Sequence, residues 1–278
     1  MRKPFAAVVL LGLALAAAPV FAAGDPVQFL VIQPGAPGSS NEAAPLMARL
    51  ADYLSRHAAG KPIVKALYVN TPTAAERAIA TLQPQLAIVT LPYYLEERER
   101  HGLRAQLITR PGGHTEDYYR LLVPVKTHMT SWKELRGAVW GTLCFNADAV
   151  ARLLFQQSAD ALPFRCEPTD RLLRAVRQVT KGEAAGVLLT DEQFDALSAL
   201  PERKSLTSLA QTTPLPPPLV VSFDGPSGAV AALTKALLDM KADPAAHDLL
   251  NELRTDGFGP IDSTLAAQLD ALAKATAP

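Results

Sequence analysis

The fold is indicated most directly by residues 86–94, which read LAIVTLPYY. The apolar residues form a short buried strand, and Pro92 opens a helix immediately behind it. A strand that passes straight into a helix is the repeating unit of α/β proteins. The same order occurs at residues 27–57 and again at residues 63–82. Such units predict parallel strands in a sheet that helices cover on both faces.

The alternation of strands and helices restarts after residue 118 and continues to about residue 190. A proline-rich segment at residues 212–218 is then expected to be extended and stiff. It leads into a strand at residues 219–223, and helices are predicted from there to the end of the chain. Two α/β sets joined by two extended passages indicate two lobes.

The predicted fold class is therefore α/β, with two lobes that are each a mainly parallel sheet flanked by helices. The chain crosses between the lobes near residues 124 and 216, and the two crossings are expected to act as a hinge. Lobe one comprises residues 23–123 and 217–278, and lobe two comprises residues 124–216.

Residues 1–22 are typical of a cleaved signal peptide. Arg2 and Lys3 supply the positive start, an apolar run covers residues 5–18, and Pro19 ends it before small side chains at the cleavage site. That run is shorter than the roughly 20 apolar residues that cross a bilayer. The sequence therefore predicts export to a periplasm, and no later segment resembles a membrane span.

Composition narrows the range of partners. Of the 278 residues, 49% are apolar and 19% are charged, with 27 basic side chains against 27 acidic ones. The apolar share excludes a largely disordered chain. The balanced charge argues against nucleic acid as a partner, because contacts with phosphates need concentrated Lys and Arg.

The two cysteines, Cys144 and Cys166, are too few for a disulfide scaffold or a cysteine-rich zinc site. In an oxidising compartment two thiols usually pair, and each cysteine lies at or near the end of a predicted strand on either side of one helix. A disulfide between them is therefore a candidate. Two buried, inert thiols are the alternative.

Motifs for catalysis are missing from the sequence. It contains no His-Glu-x-x-His pair, no Cys-x-x-Cys, no Gly-x-Ser-x-Gly elbow and no phosphate-cradling glycine loop. No cluster of His, Cys and carboxylate residues suggests a metal site. The sequence therefore predicts neither an enzyme nor a bound cofactor or metal.

Several short stretches occur in an order that carries a family resemblance. Residues 83–94 (QPQLAIVTLPYY) are a strand followed by Pro-x-Tyr, residues 131–137 (SWKELRG) are a short capped helix, and residues 256–260 (DGFGP) are a closing Gly-Phe turn. Together with a return strand at residues 216–221 and its helix at residues 225–240, they resemble the type II periplasmic solute-binding proteins of ABC importers. The resemblance is strongest to the phosphate/phosphonate-binding group.

That resemblance implies a function. The expected protein is a monomer without a cofactor that captures a small anionic or polar ligand between its lobes and delivers it to an ABC permease in the inner membrane. The same scaffold also serves a ligand-binding partner of a membrane sensor or receptor that is not coupled to transport. This second function is the alternative.

Two departures from the group concern its ligand. The group usually places a Ser/Thr-rich turn after the first strand of lobe two, whereas residues 141–148 read GTLCFNAD. Asp148 brings negative charge toward a helix start where an anion would sit. Leu86 stands where the group commonly has Asp. The resemblance therefore implies the scaffold but not a phosphonate ligand.

The candidate ligand-binding residues follow the strands, because ligands of open α/β sheets bind beyond the carboxyl ends of strands, where helix N-termini converge. The residues from lobe one are Gln33, Ser39, Ser40, Thr90, Pro92, Tyr93 and, at the first crossing, Tyr118. The residues from lobe two are Thr142, Asn146, Thr190 and Asp191. Their alternative roles are local: the two serines and Thr90 as helix caps, Tyr93 as a core residue, and Asp191 as a favourable first-turn acid.

Overall fold

The computed structural model describes residues 26–223 and 227–277. The predicted signal peptide, residues 1–22, lies outside these described residues. The described chain folds into two β-sheets with helices around them, which confirms the α/β class. None of the described helices combines the length and the apolar character needed to cross a bilayer.

The strands are numbered in chain order. They are β1 Val27–Ile32, β2 Val64–Val69, β3 Leu86–Val89, β4 Arg104–Thr109, β5 Arg120–Pro124, β6 Ala138–Gly141, β7 Arg165–Pro168, β8 Gly186–Leu189, β9 Leu206–Gln211, β10 Leu219–Ser222 and β11 Phe258–Pro260. Sheet one has the order β11-β4-β10-β3-β1-β2, and sheet two has the order β7-β6-β8-β5-β9.

Most strands within each sheet point the same way. In sheet one, β1 pairs in parallel with β2 and β3, whereas β10 runs antiparallel to both β3 and β4, and β11 runs antiparallel to β4. In sheet two, β6 is parallel to β7 and β8, whereas β5 runs antiparallel to β8 and β9. Two of the reversed strands, β5 and β10, directly follow the passages between the sheets. The first strand that the chain forms after each passage therefore runs against most strands of its sheet.

The helices alternate with these strands. They are α1 Ser40–His57, α2 Pro72–Leu82, α3 Leu91–Glu97, α4 Ala147–Phe155, α5 Leu172–Lys181, α6 Asp191–Ser198, α7 Gly228–Asp239, α8 His247–Glu252 and α9 Ser263–Thr276. The predicted helix at residues 131–137 is a single 3-10 turn, Trp132–Glu134, capped by Ser131.

Helix α1 begins where its capping residues predict. The Ser39 side chain accepts from the Glu42 backbone N–H at 3.3 Å, and the Ser39 backbone N–H donates to the Glu42 carboxylate at 2.7 Å. These two bonds form a capping box, which satisfies two otherwise free groups. The helix begins at Ser40, and Pro45 lies inside its first two turns.

Three strands were not predicted. Strand β9 is an edge strand in which only Leu206 is buried, and it lacks a continuous apolar run. Strand β11 has three residues, too few for a periodic pattern. Strand β4 begins with the exposed Arg104. All three depend on pairing with distant strands, which a local pattern does not report.

Two halves can be defined by the sheet that each strand joins. The first half comprises residues 26–109, 219–223 and 227–277, and the second half comprises residues 120–211. Strand β5 lies in sheet two, so a division by sheets falls before residue 120 rather than after residue 123. The division into independently moving lobes stays a prediction.

The two halves share one hydrophobic core. A single cluster of buried side chains includes Val89 of β3, Val139 of β6, Val150 of α4 and Leu269 of α9. Helix α4 follows a strand of the second half, yet it packs against α3 and α9. The halves are therefore joined by buried apolar contacts as well as by the two passages of chain.

Gly141 at the end of β6 offers a test of the contact between β6 and β8. A Cβ atom there would lie 2.5 Å from the Leu188 carbonyl oxygen and 3.1 Å from the Leu188 Cβ. We expect Gly141→Ala to lower the free energy of unfolding by about 1–3 kcal/mol, because the two strands must separate. Chemical denaturation measures this loss. The control is Gly228→Ala at the exposed first position of α7, and an equal effect of both variants would contradict the expectation.

Candidate functional site

The candidate site lies at the carboxyl ends of four strands, where the loops of the two halves meet, and this junction is called the crevice below. The loop after β1 leads into α1, and Thr90 joins β3 to α3. In the second half, a 3-10 turn at Thr142–Asn146 joins β6 to α4, and Thr190 joins β8 to α6. Parallel strands end at the same edge of a sheet, so each half presents loops and helix N-termini at one end.

The loops of the two halves are in direct contact at Gly35. A Cβ atom on Gly35 would lie 2.8 Å from two ring carbons of Phe145 and 2.9 Å from the Thr142 Cβ. Gly35 also has φ +77°, a conformation that residues with a side chain rarely adopt. The backbone of the first-half loop therefore packs against side chains of the second-half turn, and only glycine fits at position 35.

Glu96 of α3 bridges the two halves. Its Oε2 accepts a hydrogen bond from Asn146 Nδ2 at 2.6 Å, and its Oε1 accepts from the Ala149 backbone N–H at 2.9 Å. Asn146 precedes α4 but makes no side-chain capping bond to it. The carboxylate of the first half thus satisfies the free N–H that a capping residue of α4 would normally serve.

The pKa of Glu96 is raised, although the residue as a whole is exposed at the surface. Burial raises the pKa of Glu96, the hydrogen bonds from Ala149 and Asn146 lower it, and the charge of Asp148 raises it again. Asp148 lies in the first turn of α4, with its Oδ1 accepting from the Ala159 backbone N–H. Two carboxylates therefore already lie at the start of this helix.

Gln193 hydrogen-bonds to Thr142 and Thr190, two of the predicted ligand-binding residues of the second half. Its Nε2 donates to Thr142 Oγ1 at 2.9 Å, and its Oε1 accepts from the Thr190 backbone N–H at 3.2 Å. The Thr190 hydroxyl in turn accepts from the Gln193 backbone N–H, which completes a capping box on α6. The threonines at the ends of β6 and β8 are therefore connected by one side chain.

The two passages between the halves are hydrogen-bonded to each other. The Asp117 N–H donates to the Leu215 carbonyl at 2.8 Å, and the Leu215 N–H donates back at 2.9 Å. Asp117 Oδ1 also accepts from the Asp191 N–H at 3.1 Å and from the Tyr118 N–H at 2.8 Å. Burial raises the pKa of Asp117 to about 6, although these two hydrogen bonds oppose the change. The passages between the halves therefore contain a strongly perturbed carboxyl group.

Arg120 anchors the start of α6 beside this hinge. Its guanidinium pairs with Asp191 and lies 4.4 Å from the centroid of the Phe194 ring and 5.5 Å from that of Tyr118. The side chain of Arg120 is only 13% exposed. Its charge is therefore already neutralised by an acid of the crevice.

Several predicted residues make structural contacts. Ser39 caps α1 at the surface, the Ser40 hydroxyl donates to the Tyr68 carbonyl, and Thr90 caps α3. Pro92 and Tyr93 are buried, and the Tyr93 hydroxyl has no hydrogen-bond partner among the described residues. Ligand contact by these side chains stays a prediction.

The remaining predicted residues divide between the hinge and the crevice. The Tyr118 hydroxyl donates to Glu116, and Asp191 is engaged by Arg120. Gln33 follows β1 and is partly exposed. Gln193 links Thr142 to Thr190, whereas the buried Asn146 amide donates to Glu96, and ligand contact by these three residues likewise stays a prediction.

Reasoning from the sequence missed five residues of the site: Gly35, Glu96, Asp117, Phe145 and Gln193. Gln193 carried a local signal, because a threonine followed three residues later by glutamine is a capping-box pattern. Glu96 carried none, since its partner Ala149 is 53 residues away. The contact at Gly35 likewise exists only in the folded chain.

The two cysteines are free thiols in this structure. A hydrogen bond to Cys166 and burial raise the pKa of the Cys144 thiol well above its usual value, so the two sulfurs are neighbours. Cys144 Sγ also donates to the Val139 carbonyl at 3.5 Å, and Val139 is paired in register with Cys166. A disulfide stays a prediction.

One group of side chains in the described part of the chain is spaced closely enough to hold a metal ion. Ligand atoms of Glu76, Glu97 and His101 all lie within 4.8 Å of one another. Arg100 pairs with Glu76 at 2.7 Å and with Glu97 at 3.4 Å. A guanidinium therefore already neutralises these carboxylates, and the group forms an ion network between α2 and α3.

Solved structures share this architecture. A Xanthomonas citri protein bound to ATP has a TM-score of 0.73 at 17% identity, covering 91% of this chain and 97% of that chain. A binding-protein component of an ABC phosphonate transporter from Pseudomonas aeruginosa has a TM-score of 0.64 at 14% identity, covering 91% and 88%. PhnD1 from Prochlorococcus marinus in complex with methylphosphonate has a TM-score of 0.63 at 12% identity, covering 90% and 98%. These likenesses define the type II periplasmic-binding-protein fold, as predicted.

The sequence itself identifies the family. The chain belongs to the periplasmic substrate-binding proteins of phosphonate ABC transporters, whose family pattern it matches over residues 37–265. No curated protein sequence is significantly similar to it. The family consists of substrate-binding components, so the expectation of a binding protein rather than an enzyme is confirmed.

Gly35→Ala tests the contact between the halves. The added Cβ would meet Phe145 and Thr142, so we expect the halves to be pushed apart and the radius of gyration in small-angle X-ray scattering to rise. Gly38→Ala is the matched control, since Gly38 lies in the same loop at φ +90° with only the Glu42 carboxylate at 3.8 Å. Both variants should lose about 1 kcal/mol of stability from the left-handed conformation. Expansion of both, or of neither, would contradict the contact.

Asp117→Asn tests the perturbed hinge carboxyl. Because the pKa of Asp117 is about 6 in the folded protein and lower when unfolded, its contribution to stability is present below pH 4 and is lost as the pH rises to 6. The asparagine Oδ1 keeps both backbone hydrogen bonds but carries no charge. We therefore expect the variant to match the wild type near pH 4 and to be more stable by about 2 kcal/mol at pH 8.

The measurement is chemical denaturation of both proteins across this pH range. Asp195→Asn on the exposed face of α6 is the control and should show no such divergence. A stability difference between the Asp117 variant and the wild type that stays constant with pH would show that Asp117 does not titrate as described.

Proposed function

We propose that this protein is a monomeric periplasmic binding protein that captures a small polar ligand in the crevice and delivers it to an ABC permease of the inner membrane. The observation that carries the proposal is the meeting of Gly35 and Glu96 of the first half with residues 142–149 of the second. Ligand pockets lie preferentially at such junctions, where two sets of loops enclose a small molecule.

The passages between the halves support a closing motion. Residues 110–119 and 212–218 connect the sheets side by side, with Asp117 and Leu215 hydrogen-bonded across them. Two adjacent connections permit a hinge, in which few backbone angles change while each half stays rigid. A permease that recognises the closed form then receives only the loaded protein, because the ligand shifts the equilibrium toward closure.

The polar lining indicates how a ligand is held. Thr142, Asn146 and Thr190 lie at the crevice, with Gln193 linking the two threonines. Hydroxyl and amide groups both donate and accept hydrogen bonds, so they can bind a ligand that offers either acceptors or donors. We propose these residues as the ligand contacts of the second half.

A thermal-unfolding screen tests the proposal. Residues 23–278 are purified under denaturing conditions, refolded to remove carried-over ligand, and screened against amino acids, amines, carboxylates, phosphonates and sulfonates. A ligand at about a thousand times its Kd stabilises by roughly 4 kcal/mol, which raises the Tm by about 8–16 °C in a chain of this size. We expect one chemical class to give such a shift.

Thr142→Val then locates the binding site. The variant keeps the shape of the side chain but removes its hydroxyl, so we expect the ligand-induced shift to fall by at least half. Thr73→Val on the exposed face of α2 is the matched control and should leave the shift unchanged. A folded protein without a response to any class would contradict the proposed function, and an unchanged shift in Thr142→Val would place the ligand elsewhere.

A further inference from the structure

The two cysteines lie on neighbouring segments of sheet two. Cys144 is in the 3-10 turn Thr142–Asn146 that follows β6, and Cys166 is in β7, the parallel partner of β6. Cys144 belongs to the hydrophobic cluster that the two halves share, and the partly exposed Cys166 packs against the same cluster. Both side chains therefore lie on the same side of sheet two.

The pairing of β6 with β7 places the Cys144 sulfur beside Cys166. The Gly137 carbonyl accepts from the Arg165 N–H at 2.9 Å. Carbonyls two residues apart on a strand point the same way, so the Val139 carbonyl also points toward β7. Cys144 Sγ lies 3.5 Å from that oxygen, and Val139 is the register partner of Cys166. The turn therefore returns the Cys144 thiol to the level of Cys166 on the adjacent strand.

We propose that Cys144 and Cys166 are a site of disulfide formation, at which Cys166 reacts first with a disulfide oxidant and Cys144 then closes the bond. Exported proteins meet such oxidants outside the cytoplasm, where neighbouring thiols pair and stay paired. The bond joins the turn after β6 covalently to β7. The structure holds both cysteines as free thiols, the form in which the reaction begins.

The reaction balances as two exchanges. The Cys166 thiolate attacks one sulfur of the oxidant's disulfide, so that S–S bond breaks, a mixed disulfide forms and one thiolate of the oxidant leaves. Cys144 then loses its proton and attacks the Cys166 sulfur, which releases the second thiolate of the oxidant. The two cysteines lose two electrons and two protons in total, and the oxidant takes up both as its disulfide becomes two thiols.

The environments of the two thiols favour this order. Cys166 is partly exposed, whereas Cys144 is only 5% exposed, so a large oxidant can reach Cys166. The hydrogen bond from Cys144 lowers the pKa of the Cys166 thiol, although burial and the charge of Glu167 oppose this change. The same hydrogen bond and burial raise the pKa of Cys144. Because the thiolate is the attacking form, Cys166 is the nucleophile of the first exchange.

Oxidised glutathione is the probe for this reaction. We expect the reduced, folded wild type to lose the mass of two hydrogen atoms and both alkylatable thiols, with a Cys144–Cys166 linked peptide in its digest. In Cys144→Ser, glutathione should remain attached to Cys166, because no second thiol releases it. In Cys166→Ser, the buried thiol should react at least about tenfold more slowly than Cys166 does in Cys144→Ser. Mass spectrometry follows all three proteins.

The wild type alone can contradict disulfide formation, so the test does not depend on the folding of either variant. Thiols that both stay alkylatable, or that pair only between two molecules, would overturn the inference. Glutathione that stays on the wild type would do the same, since Cys144 then does not reach the mixed disulfide. Equal reaction rates in the two single variants would overturn the order of attack.

The Tm provides a second readout, because the bond closes a loop that contains α4. That loop runs from Cys144 to Cys166, and closing it restrains the unfolded chain. We expect the Tm of the oxidised wild type to exceed that of the reduced wild type by about 6–12 °C. The double variant Cys144→Ser/Cys166→Ser is the control and should have the same Tm with and without reductant. A linked wild type whose Tm does not fall on reduction would show that the bond does not restrain the turn.

Disulfide formation is independent of the proposed function, because no ligand takes part in the glutathione assay. A protein that responds in the ligand screen but forms no bond overturns the inference alone. A protein that forms the bond but responds to no ligand overturns the proposed function alone.

Discussion

The packing of α4 is the constraint on which the arrangement of the two halves depends. This helix follows a strand of sheet two, but its buried side chains, Val150 among them, join the cluster that contains Val89 of β3 and Leu269 of α9. Burial of apolar surface stabilises by about 25 cal/mol per Å². Separation of the halves around α4 would expose part of that surface and leave the Ala149 N–H without its acceptor. The relative position of the halves is therefore held by an apolar contact along the helix and a polar contact at its first turn.

The passages between the halves are connected to the start of α6 through Asp117. Asp117 joins the two passages by its backbone and the start of α6 by its carboxylate. A buried carboxylate is costly when it is charged, and Asp191 and Glu192 add further negative charge. A change in the protonation of Asp117 therefore acts on the passages between the halves and on the start of α6 together, where Arg120 pairs with Asp191.

A feature could be predicted from the sequence when the residues that interact lie close together along the chain. The helix cap at Ser39 and the entry into α3 at Pro92 were predicted, because these residues act on backbone groups within one turn. The α/β class and the fold followed from the alternation of such units. Strands β9 and β11 were missed, since they exist only through pairing with distant strands. The contact of Glu96 with Ala149 spans 53 residues and leaves no spacing that a sequence pattern could report.

At the start of α4, the requirements of the fold can be distinguished from those of ligand binding. Structures with this fold share only 12–17% identity with this chain, so the fold tolerates wide changes in sequence. The first N–H groups of a helix have no acceptor within the helix, and either a ligand or a side chain can supply one. In this chain Glu96 supplies the acceptor for the Ala149 N–H. Thr142, which we propose as a ligand contact, lies in the turn before α4 and can change without removing that hydrogen bond.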